Sequence, residues 1–155
     1  AIACASHWER PPSGLVLMGT GHAPPSWSKS DGPPGPSLAY LERYFSEWFT
    51  EPTAGRVRTL TRSVTSLGQG AFERLFIAAG ERLPDCPARP PSTLVLHGAQ
   101  DRLRTRSEAF ALAEAFEGRL EVFAEGGHAL PMERPGEVAE RAALWLRQTE
   151  QTAHA

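Results

Sequence analysis

Thr93-Leu94-Val95-Leu96-His97-Gly98-Ala99-Gln100-Asp101 and, after one helical stretch, Arg119-Leu120-Glu121-Val122-Phe123-Ala124-Glu125-Gly126-Gly127-His128 decide the fold of this 155-residue chain. Leu94 to Leu96 form a continuous apolar run, the pattern of a strand covered by helices on both faces, and Gly98 opens a loop directly after it. Between the two runs Ala109, Leu112, Ala113 and Phe116 fall at i, i+3, i+4 and i+7, one apolar helical stripe. Thr105-Arg106-Ser107-Glu108 has the form of a capping box at its start, and Gly118 stands where a C′ glycine would end it. Strand, helix, strand at this spacing predicts a right-handed crossover between parallel strands, which makes the fold class α/β.

Working outward, Gly14-Leu15-Val16-Leu17-Met18 repeats the buried-strand pattern and leads into Gly19-Thr20-Gly21. Pro135 opens a second amphipathic helix, with Val138, Ala142, Trp145 and Leu146 expected inward and a polar tail from Gln148 expected to fray. Four regions follow: 1–21, the end of a helix plus a core strand; 22–91, a helical insertion; 92–148, core strands and helices; and 149–155, the frayed tail. Pro24, Pro25, Pro33, Pro34 and Pro36 hinge the insertion at one end, and the loop from Pro84 to Pro91 returns the chain to the sheet. Inside it, Leu38, Leu41, Tyr44, Phe45, Trp48 and Phe49 lie at helical spacing up to Pro52, and Phe72, Leu75, Phe76 and Ala79 repeat the pattern. No internal repeat is visible. Ala1-Ile2-Ala3-Cys4-Ala5 reads as the last turns of an uncapped apolar helix, and three parallel strands alone leave a long apolar edge, so the chain is expected to be truncated on its amino side.

Composition removes several classes of function. Sixteen Lys and Arg against 18 Asp and Glu give a net charge of −2, without the basic footprint that neutralises phosphates, so no nucleic-acid partner is expected. No apolar run approaches the roughly 20 residues of a spanning helix, and no signal peptide opens the chain, which points away from membranes. Cys4 and Cys86 make no CxxC and read as independent thiols in a reducing compartment, expected to be the cytoplasm.

Ligands of open parallel sheets bind beyond the carboxyl ends of the strands. Asp101 and His128 both stand there, in the loops after two strands expected to be neighbours about 4.8 Å apart. An imidazole needs its Nδ1–H held by an acceptor if Nε2 is to take a proton, and a carboxylate is the usual acceptor, so the two form a candidate catalytic pair. Thr20 and His22, beyond the first strand, are candidates for lining the pocket. Trp27, Tyr44, Phe45, Trp48 and Phe49 are candidates for walling an apolar substrate site, weighed against the plainer role of packing the insertion onto its core. Glu133 is read as capping the final helix or positioning its loop. Asp101 and His128 lack the further ligands a metal needs, and neither a metal nor a cofactor is expected.

Leu94 to Leu103, Gly126 to Pro135 and the closing helix through Trp145-Leu146 together resemble the carboxyl-terminal half of an α/β-hydrolase fold enzyme. Gly14 to Thr20 resembles the sixth strand of that family, and 22–91 sit where its members insert a helical cap. The resemblance covers nearly all of the chain but only about half of the family's fold. It implies Asp101 as the acid and His128 as the base of a catalytic triad, in the chain order Ser, acid, His. It further implies a serine-type hydrolase cleaving an ester, thioester or similar acyl bond of a small to medium, apolar substrate. The chain departs from the family in having no G-x-S-x-G elbow and no oxyanion-hole loop; Thr65-Ser66-Leu67-Gly68-Gln69-Gly70 has the wrong spacing and falls in the insertion. The nucleophile is therefore expected upstream, on a missing amino-terminal half of the same fold, and the chain alone is expected to be inactive. The alternative is a non-catalytic, ligand-binding or truncated relative. Perhydrolysis, dehalogenation and C–C hydrolysis stay open because one scaffold hosts them all.

Overall fold

The computed structural model describes residues 12–20, 43–46 and 90–153, together with Gly55, Arg58, Thr59, Arg62, Ser63, Ser66, Gly68, Gly70, Ala71 and Arg74. Three strands, β1 (Gly14–Met18), β2 (Ser92–Gly98) and β3 (Arg119–Phe123), form a parallel sheet in the order β1-β2-β3. Leu15 pairs with Thr93 and Met18 with Leu96, while Leu94 pairs with Arg119 and Gly98 with Phe123. The described helices are α1 (Arg106–Ala115), α2 (Leu130–Glu133) and α3 (Pro135–Ala153).

β2 is continuously apolar because it feeds two cores at once. Side chains alternate across a strand, so Val95 joins Leu15, Leu17, Ala109, Leu112 and Phe116 on the α1 side. Leu94 and Leu96 join Phe123, Leu130, Val138 and Trp145 on the α3 side. Both layers are needed to fix the register, since a slip of one residue would exchange the two sets.

α1 starts at the expected capping box. The Thr105 hydroxyl accepts the Glu108 N–H at 3.2 Å, and the Glu108 carboxylate accepts the Thr105 N–H at 2.6 Å. Its end differs from expectation. The left-handed residue is Glu117, at φ +47°, and Gly118 lies one position beyond it. The Glu117 N–H donates to the Glu114 carbonyl at 3.0 Å and the Gly118 N–H to the Ala113 carbonyl at 2.8 Å, a Schellman closure. Glycine at 118 serves packing instead: a Cβ there would lie 2.7 Å from the Thr93 carbonyl oxygen of β2.

In α3, Val138 and Trp145 are buried as expected, whereas Leu146 is 43% exposed. Both side chains border Gly14 of β1, the indole more closely: a Cβ there would meet the Trp145 ring at 2.7 Å and Leu146 Cδ2 at 3.7 Å. The polar tail does not fray at 149, since α3 stays helical to Ala153, with Thr149 and Thr152 hydroxyls each donating to the carbonyl four residues earlier at 3.0 Å. In region 22–91, Tyr44 and Phe45 stand in a turn rather than in the expected helix. The Tyr44 carbonyl accepts the Ala129 N–H beyond β3 instead, and the Ser46 N–H donates to Glu133. Of the ten described residues between 55 and 74, all except Gly68 are helical, and the hydroxyls of Thr59 and Ser63 donate back along the chain to carbonyls four residues earlier. The other aromatic positions of the insertion, its first hinge and Ala1 to Ala5 lie outside the described residues. Among the described residues no helix is long and apolar enough to cross a membrane.

Candidate active site

The loops after β2 and β3 meet at glycines. A Cβ on Gly98 would run into the Gly126 and Gly127 carbonyls, so only a bare backbone lets the two loops touch. Ala99 N–H donates to the Phe123 carbonyl at 2.8 Å and Gln100 N–H to the Gly126 carbonyl at 2.9 Å, which ties the acid loop to the histidine loop before either functional side chain appears.

Asp101 then folds its carboxylate back on its own chain: Oδ1 accepts the N–H groups of Leu103 at 2.8 Å and Arg104 at 2.9 Å. This leaves Oδ2 for His128, whose Nδ1 lies 2.9 Å away, across a side chain only 1% exposed on the Asp101 side. Burial pushes the Asp101 pKa upward, but the hydrogen bond and charge of His128 and the two backbone donors outweigh it and hold the carboxyl below its ordinary value. The imidazole crosses toward the tip of β1, where Gly19 takes φ +57°. A Cβ there would lie 3.0 Å from the His128 carbonyl oxygen and 3.3 Å from Nε2. The arrangement can hold a proton on Nδ1 and leave Nε2 as the proton-accepting edge.

Two supports escaped the sequence reading. Tyr44 accepts the Ala129 N–H on its carbonyl at 2.8 Å and sets its ring edge-on to His128, centroids 5.1 Å apart and planes at 79°. His97, 4% exposed on β2, places Nδ1 4.0 Å from Asp101 Oδ2. Burial lowers its pKa from the ordinary value, with Asp101 opposing. Its signal in the sequence was an ionisable residue inside an otherwise apolar strand. Glu133 takes the second of its two expected roles. It is buried, accepts the Gly127 N–H on Oε1 at 3.0 Å, and on Oε2 accepts the Ser46 N–H at 3.0 Å and hydroxyl at 2.6 Å. It therefore positions the His128 loop.

The expected substrate-lining residues divide. Thr20 stands half-buried at the tip of β1, on the same rim as the pair. Phe45 is 3% exposed, its backbone packed against Gly127 rather than its ring offered to a cavity. His22, Trp27, Trp48 and Phe49 lie outside the described residues. Ser66 is exposed and donates its hydroxyl to the Ser63 carbonyl at 2.7 Å. No group of three His, Cys, Asp or Glu side chains among the described residues is arranged to hold a metal. A cavity of about 640 Å³ opens at the other end of the sheet, among Ser13, Ser92, Arg119 and Trp145, away from the pair.

Comparison with known proteins gives a consistent picture. A family model described as the alpha/beta hydrolase family matches residues 1–141. No curated protein matches the chain. Among solved structures, a thermophilic esterase from Thermogutta terrifontis is 22% identical with a TM-score of 0.69, covering 88% of this chain and 56% of its own. An esterase from Exiguobacterium antarcticum is 21% identical with a TM-score of 0.66, covering 91% and 59%. A putative non-heme bromoperoxidase, BpoC, from Mycobacterium tuberculosis is 19% identical with a TM-score of 0.63, covering 88% and 58%. The chain thus spans less than two thirds of the length of each.

Proposed function

This chain belongs to the alpha/beta hydrolase family, and we propose that it supplies the acid and base of a serine-type hydrolase that cleaves an ester, thioester or similar acyl bond. The observation that carries the reading is the 2.9 Å contact between Asp101 Oδ2 and His128 Nδ1 at neighbouring strand tips. In the reaction, an attacking hydroxyl from the rest of the fold gives its proton to His128 Nε2 as it adds to the substrate carbonyl. Asp101 keeps His128 in the tautomer with the proton on Nδ1 and stabilises the imidazolium. His128 then hands the proton to the leaving group, and water repeats the sequence to release the acid. Neither a metal nor a cofactor enters these steps.

Two of the proteins with a similar fold, those from Thermogutta terrifontis and Exiguobacterium antarcticum, are esterases, which supports an acyl ester as the substrate class. The partner of the pair is then the amino-terminal half of the same fold, and residues 1–155 by themselves are inactive. A cytoplasmic site suits Cys4 and Cys86.

Chromogenic esters of increasing acyl length test the reading on the complete protein. Turnover that falls by about 10⁴ in Asp101→Asn and is lost in His128→Ala is the expected result. Full activity in Asp101→Asn overturns it. Turnover by residues 1–155 alone, abolished by His128→Ala, would refute the placement of the nucleophile elsewhere.

A further inference from the structure

His97 is the buried ionisable group that the proton relay leaves idle. Asp101 has two acceptor positions on each oxygen. Both on Oδ1 are taken by the Leu103 and Arg104 N–H groups, and one on Oδ2 by His128. Among the described residues no donor takes the remaining position on Oδ2, and His97 Nδ1 is 4.0 Å from that atom. Among the described residues no hydrogen bond reaches the His97 ring, although the residue is only 4% exposed. The charged and titratable groups facing it are Asp101 and His128 from the two loops and Glu108 and Arg106 from α1; its strand neighbour on β3 is Val122.

We propose that His97 is a positioning residue that carries its proton on Nδ1 and presents that N–H to the open side of Asp101 Oδ2, pinning the carboxylate between two imidazoles. The proposal rests on reading Asp101 and His128 as the proton relay. A bare nitrogen lone pair turned to a carboxylate is repelled, whereas an N–H dipole is attracted, and at this depth the difference is little screened. Burial lowers the pKa of the ring and so favours its neutral form, which supplies a dipole rather than a competing cation. The positive end of that dipole draws part of the carboxylate's field away from His128. Without that dipole the full field of the carboxylate would fall on His128.

Two measurements on the complete protein decide the matter. In wild type labelled with ¹⁵N in histidine, the imidazole spectrum should show the neutral His97 ring carrying its proton on Nδ1. A proton on Nε2 overturns the proposal, and this readout does not depend on any variant folding. In the pH profile of kcat/KM, His97→Phe should move the acid limb to higher pH by about half a pH unit or more. His97→Asn, whose amide can place a donor near the Nδ1 position, should restore the wild-type limb. Equal limbs in all three proteins, or equal displacement in Phe and Asn, reduce His97 to packing and overturn the proposal. Failure of the relay itself would look different, as ester turnover that survives Asp101→Asn.

Discussion

Asp101 stays ionised against its own burial because three N–H donors converge on it, and that has a pH signature. Its folded pKa lies below the unfolded value, about 3.9 for an aspartate. The stabilisation is therefore complete above that value and is lost as pH falls through the folded pKa. Urea unfolding of wild type and Asp101→Asn should show a stability gap at pH 7 that closes progressively below about pH 4. A gap unchanged down to pH 2 would mean the carboxylate gains nothing from its partners. Glu133 gives a second test at this scale. Glu133→Ala strands the Gly127 and Ser46 N–H groups and should cost roughly 1–3 kcal/mol in unfolding free energy, with Glu133→Gln costing less because it keeps an acceptor.

At the scale of elements, α1 separates what local chemistry dictates from what packing imposes. Its start was legible because Thr105 and Glu108 satisfy each other within one turn. Its end was not, because the reason for glycine at 118 is the Thr93 carbonyl on another strand, a contact no local pattern contains. The left-handed turn fell to Glu117, where a side chain costs about 1 kcal/mol that glycine would not. Glu117→Gly should accordingly raise the melting temperature, whereas Gly118→Ala should lower stability by roughly 1–3 kcal/mol as α1 is pushed off β2. Tyr44 and Phe45 misled the reading for a related reason. Aromatic spacing alone does not distinguish a helix face from a turn whose backbone bonds a distant loop, as the Tyr44 carbonyl does with Ala129.

Over the whole molecule, β2 is the strand paired on both sides among the described residues, and its side chains supply both cores. Its amides should be the slowest to exchange with solvent, with those of Leu94 to Leu96 outlasting β1 and β3 in a native-state hydrogen-exchange series. Leu94→Ala should cost about 2–5 kcal/mol by opening the layer under α3. The approach of His128 to Asp101 was readable from the letters because parallel strands bring their following loops to one rim. The supports from Tyr44 and Ser46 were not, since each joins distant stretches of chain, as Ser46 and Glu133 do across 87 residues.

That last bond limits what an engineer can exchange. A chimera that grafts a foreign loop over 22–91 must bring a hydroxyl-bearing residue to position 46, because the Glu133 carboxylate behind the histidine turn is shared between two stretches of chain. Without one, the transplant leaves that carboxylate short of one of its three donors, and the fault would surface as a wandering imidazole far from the graft's own seams.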